Sequence, residues 1–118
     1  MDIEKIFGLI TKQIAATGAP VTYRQVWSFA YPGQPWNGIH CLREVMIILG
    51  ELTQHCIDKK LPILSAAVVR QDTNDATDTA KSNLHEVCRE LGLDRAKDVS
   101  KEKFFADEQR KALIRWGS

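Results

Sequence analysis

The chain has 118 residues, 44% hydrophobic and 26% charged, with a formal net charge of +1. Such a length suits one domain, 1–118, with a real core, and the composition excludes a disordered tail. The near-neutral charge excludes a protein that holds polyanions by broad counterion release, so any nucleic-acid site must be a local patch.

No apolar run approaches the ~20 residues needed to cross a bilayer. The start, Met1-Asp2-Ile3-Glu4, is acidic and amphipathic, unlike a signal peptide. The expectation is a cytoplasmic protein with no membrane partner.

Ile3, Ile6, Phe7, Ile10 and Ile14 recur at helical spacing and predict a first helix over 2–16, capped by Asp2 and ended by Thr17-Gly18-Ala19-Pro20. Thr22-Tyr23-Arg24-Gln25 is a capping box, flanked by Val21 and Val26 as a hydrophobic staple, and predicts a second helix that stops at Pro32-Gly33. Asn37 is the expected cap of a third, long helix, in which Ile39, Leu42, Val45, Met46, Leu49, Leu52 and Cys56 keep a 3.6-residue period to about Lys59.

After Pro62 the pattern changes. Ile63 to Val69 is short, apolar and β-branched at its end, so it reads as a buried strand. One strand cannot stand alone. Its partner is the short stretch near Val21, an unrecognised strand, or the same strand of a second copy, which would make a homodimer. The polar run Gln71 to Thr79 is a surface loop. A fourth helix follows over 79–91, and a fifth starts at the cap Ser100 with Phe104, Phe105, Leu113 and Trp116 inward. The fold class is α+β and mainly helical, with about five helices and one or two short strands.

The chemistry-bearing residues are sparse. Cys41, Cys56 and Cys88 fall on apolar helix faces and read as reduced core thiols. His40-Cys41, His55-Cys56 and His85 with Cys88 lack the paired spacing of a zinc site. His55, Cys56, His85 and Cys88 would serve a small enzyme or ligand carrier only if the fold made them converge. Asp72 to Asp78 lacks the glycine and the terminal Glu of a calcium loop. No phosphate loop, nucleophile elbow or zinc-protease motif is present, so no catalytic set, metal or cofactor is assigned. Tyr31-Pro32-Gly33-Gln34-Pro35-Trp36 holds two aromatics in a proline-stiffened loop. Tyr31 and Trp36 are either a rigid ridge for a partner or ligand, or ordinary packing that closes the ends of helices two and three.

Val21-Thr22-Tyr23-Arg24-Gln25-Val26, Arg43-Glu44-Val45, then Pro62 and Val68-Val69-Arg70, resemble the winged helix-turn-helix half of the alkyltransferase-like proteins over residues 20–70. The resemblance implies a DNA-binding helix pair, with Tyr23 approaching the phosphate backbone and Arg43 entering the duplex near a flipped nucleotide. The reactive Pro-Cys-His-Arg of that family is absent, since Pro62 is followed by Ile63-Leu64-Ser65, and methyl transfer to cysteine is not implied. The wider order of Thr22-Tyr23-Arg24, Trp36-Asn37-Gly38, His-Cys, Leu61 to Val69 and a terminal Trp116 is similar to uncharacterised small bacterial proteins of mobile or defence-related genes. The expected function is a non-enzymatic module that binds nucleic acid through helices two and three, with Arg24, His40 and Arg43 outward and Tyr23 near the backbone. The alternatives are a self-associating domain and the His/Cys pocket.

Overall fold

The computed structural model describes residues 2–117, so Met1 of the acidic start lies outside it. It is a mainly helical α+β fold of α1 (Ile3–Thr17), β1 (Val21–Thr22), α2 (Tyr23–Ala30), α3 (Ile39–Asp58), β2 (Val68–Val69), α4 (Asp78–Glu90) and α5 (Lys101–Trp116). Two 3-10 turns, Leu64–Ala67 and Asp94–Ala96, complete the order. No helix among the described residues is long and apolar enough to cross a membrane.

Local sequence signals act where they stand. Asp2 accepts from the Lys5 N–H at 3.2 Å and starts α1. Gly18 adopts φ 67°, a left-handed conformation costly for a side chain, and its N–H closes α1 on Ile14 O at 2.7 Å. Thr22 and Gln25 make both bonds of the capping box, at 3.1 and 2.8 Å.

Two expectations are corrected. Asn37 does not cap α3. The cap is Gly38, whose φ of 61° and ψ of −132° suit only glycine, and the Asn37 N–H goes to Cys41 Sγ at 3.0 Å. Ile63 to Ala67 is not strand; only Val68 and Val69 are. The reason lies in hydrogen bonding. A strand satisfies its backbone through a ladder, whereas here side chains from α3 and α5 do so. Glu108 accepts from the Ile63 N–H at 3.2 Å, Cys56 Sγ accepts from the Leu64 N–H at 3.4 Å, and Gln109 donates to Ala66 O at 3.0 Å. With those partners supplied, the segment folds into a 3-10 turn and buries Leu64, Ser65, Ala66 and Ala67.

β2 pairs in parallel with β1, Val21 against Val68 and Thr22 against Val69. The partner is therefore the stretch near Val21, and a second copy is not needed to provide one. From β2 the chain passes through a turn closed by Asn74 N–H to Arg70 O at 2.9 Å and Arg70 N–H to Asp75 O at 2.8 Å, then enters α4. No hairpin wing follows β2 among the described residues.

The core gathers Ile6, Ile10 and Ile14 of α1, Val26 and Trp27 of α2, Val45, Ile48 and Leu52 of α3, Leu84 and Cys88 of α4, and Phe104 and Phe105 of α5 around the 3-10 turn. This packing brings the N-terminus of α2, the loop before α3 and the turn after β2 to one side of the molecule.

Candidate functional site

That side carries an open cleft of about 790 Å³. Its walls come from three segments distant in sequence: Thr22, Tyr23 and Arg24 at the start of α2, Trp36, Gly38 and Leu42 before and on α3, and Arg70, Gln71, Asp72 and Thr77 after β2, so one carboxylate stands among the two guanidinium groups.

The loop before α3 is held by three contacts. Trp27 Nε1 donates to Gln34 O at 3.1 Å, the Cys41 thiol accepts from the Asn37 N–H at 3.0 Å, and it donates to Pro35 O at 3.8 Å. Trp27 also packs against Tyr31 at 4.5 Å between ring centroids and edge-on against Trp36 at 6.4 Å. Tyr31 and Trp36 are thus the outer members of a three-ring cluster, as the packing reading of the loop has it. Tyr31 is further engaged through its hydroxyl, which donates to Glu44 Oε2 at 3.4 Å. Trp36 is half-buried, and its remaining face lines the cleft.

Arg24 is exposed on the first turn of α2, and its guanidinium lies 5.6 Å from the Trp36 ring centroid, within the range of a cation–π contact. Arg70 stands at the end of β2 and bridges to Asp72 at 3.0 Å, both side chains being largely solvated. Such a surface pair contributes little and is readily exchanged for another anion.

Tyr23 is a core residue. It is 4% exposed, and its hydroxyl oxygen accepts from the Thr77 N–H at 3.4 Å. Burial raises its phenol above the ordinary 10.0, against a lowering by the Thr77 bond. Its ring is a core element that joins α2 to the N-terminus of α4, and Tyr23 still contributes to the cleft wall. His40 and Arg43 are exposed on the first turns of α3. They do not line the cleft, and they alternate with Ile39 and Ile47, which are 70% and 56% exposed. The structure therefore brings Tyr23, Arg24 and Trp36 together and leaves His40, Arg43 and Tyr31 outside. Gln71 and Thr77 carry no local mark in the sequence, and Arg70 stands out there only as the end of the Val68-Val69-Arg70 stretch.

His55, Cys56, His85 and Cys88 line none of the main cavities. His55 stacks on Phe7 at 4.9 Å, and His85 Nε2 is bonded to Ala96 O at 2.8 Å. Burial pushes the Cys56 thiol up to about 11 and the Cys88 thiol up to about 12, both far from the depressed range of a nucleophilic cysteine. Cys41, Cys56 and Cys88 are all buried and free of disulfides. Among the described residues no group of three or more His, Cys, Asp or Glu side chains is placed to hold a metal ion.

Set against known proteins, the chain matches no family model, no curated protein and no solved structure.

Proposed function

We propose that this chain is a non-enzymatic module that binds nucleic acid at the cleft between the start of α2, the loop before α3 and the turn after β2. The observation that carries the reading is the Arg24–Trp36 platform at 5.6 Å in an open cleft that also presents Arg70. An aromatic face flanked by cations suits an unstacked base with its phosphate, because any base can stack while guanidinium groups take the charge. Such a local site agrees with a net charge of only +1, which rules out reliance on global attraction. Single-stranded or distorted nucleic acid fits this arrangement better than a regular duplex, whose bases offer no free face.

The resemblance of residues 20–70 to the DNA-binding half of alkyltransferase-like proteins points to the same class of ligand, and the wider resemblance suggests a mobile or defence-related bacterial gene. Contact with bases belongs, on this proposal, to Trp36. Exposed His40 and Arg43 on α3 supply a flank that a longer strand would reach.

The test is fluorescence anisotropy of labelled single-stranded and duplex DNA at low and near-physiological salt. Salt-steep binding that favours the single strand is expected. Arg24→Ala and Arg70→Ala should each weaken it by about tenfold and reduce the salt slope by about one. Trp36→Ala should cost about 1–3 kcal/mol of binding. Absence of binding even at low salt overturns the proposal.

A further inference from the structure

A second cavity, of about 260 Å³, lies between α3 and α4 on the other side of Tyr23. Met46, Leu49 and Gly50 form one wall, Ala80, Leu84 and Val87 the other. We infer that this groove is a binding site for a small neutral molecule with an aromatic or alkyl body and one hydroxyl or N–H group.

Size sets the first limit. A dry apolar cavity of about 150 Å³ accepts benzene. The volume here therefore accommodates a two-ring body, roughly ten heavy atoms, by the same measure.

Charge sets the second. No Asp, Glu, Lys, Arg or His lines the groove, so nothing there offsets the desolvation of an ionised ligand.

The polar groups set the third. At the floor, Thr53 Oγ1 and Ser65 Oγ lie 2.8 Å apart, and each is 2.8 Å from Leu49 O. Two hydroxyls own two protons, which these three contacts already employ, whereas each oxygen has two lone pairs. What the floor has to spare is acceptor capacity, which recognises a donor on the ligand. Exposed Asn83 also lines the groove.

Gly50 adds to the shape of the groove. It stands in the interior of α3, where glycine weakens a helix relative to alanine. A Cβ at this position would meet nothing within 4 Å, so no neighbour within the chain requires the small residue. Its effect is to keep the α3 wall of the groove open. The inference does not rest on the nucleic-acid reading, since the two cavities share only Tyr23 among their lining residues.

The experiment is a titration of the full chain with 2-naphthol, and in parallel with 2-naphthalenesulfonate, followed by the methionine methyl resonances. There are two methionines, and Met46 lines the groove. Saturable movement of the Met46 signal by 2-naphthol is expected, with the sulfonate at least tenfold weaker. Gly50→Leu should keep the circular dichroism of the native protein, with a thermal midpoint no lower than the native one, and lose at least tenfold in 2-naphthol affinity. Val87→Phe, which narrows the opposite wall, should do the same. No saturable shift of Met46 up to the solubility of 2-naphthol overturns the inference. So does undiminished affinity in folded Gly50→Leu and Val87→Phe, or a sulfonate that binds as well as the naphthol.

Discussion

Glu108 sits one turn beyond Phe104 on α5, a place where helical spacing asks for an apolar side chain, and it is 1% exposed. Its carboxylate takes two bonds from Arg95, Nη2 to Oε1 at 2.8 Å and Nε to Oε2 at 3.0 Å, besides the Ile63 N–H at 3.2 Å. Burial alone would raise this carboxyl, but the Arg95 guanidinium and the Ile63 N–H outweigh it and hold the group below its ordinary 4.5. The unfolded chain therefore binds the proton more tightly. The resulting stability is present above the unfolded value and is lost as pH falls through the lower folded one. Glu108→Gln should cost about 3 kcal/mol near neutral pH, within the range for breaking a buried pair. In urea titrations the gap between wild type and variant should narrow as the pH drops below about 4. A gap independent of pH would show that the charge of Glu108 is not what the fold uses. The thiols make a separate prediction. With Cys56 and Cys88 held protonated to about 11 and about 12 and all three cysteines buried, a thiol reagent at mildly alkaline pH should label the native protein slowly and the urea-unfolded chain at three sites.

At the scale of the element, periodicity and the caps other than that of α3 were legible because their determinants lie within one turn of where they act. Thr22 and Gln25 define the start of α2 from four consecutive residues, and Ser100 does so for α5 by accepting from the Lys103 N–H at 3.1 Å. Thr22→Ala should lower stability by about 1 kcal/mol, seen as a drop in the thermal midpoint. Gly50→Ala should raise it by about 0.5–1 kcal/mol through helix propensity, since the added methyl meets no neighbour. A loss of stability in Gly50→Ala would mean that the backbone there is strained. What could not be read from the sequence was set by distant partners. The segment 63–67 has the composition of a strand and becomes a 3-10 turn because Glu108 and Gln109, more than 40 residues on, satisfy its backbone. The candidate cleft was half legible for the same reason. Arg24 and Trp36 belong to a recognisable capped helix and a stiff loop, whereas Arg70 reaches them only through the pairing of β1 with β2.

For the molecule as a whole, that pairing is only two residues long in each strand, yet it fixes where the two ends of the cleft meet. The five helices carry the stability, and α5 closes the far side. Phe104 and Phe105 enter the core, and Trp116 meets Phe7 of α1 edge-on at 5.6 Å. Removal of α5 should therefore abolish the cooperative urea transition rather than merely shift its midpoint, because the 3-10 turn loses two of its backbone partners along with the aromatic cover. A cooperative transition in a chain ending before Lys101 would refute this dependence.

The clasp of Glu108 on Ile63 spans 45 residues, and synthesis runs in one direction. On the ribosome, the Ile63 segment emerges well before the carboxylate that secures it. During that interval the Ile63 N–H and the Ala66 carbonyl face solvent or a chaperone, not their final neighbours, and the thiols of Cys56 and Cys88 lack the cover of α5. Oxidants and aggregation would thus find this protein most vulnerable in the brief window of its birth, and much less so once α5 has docked.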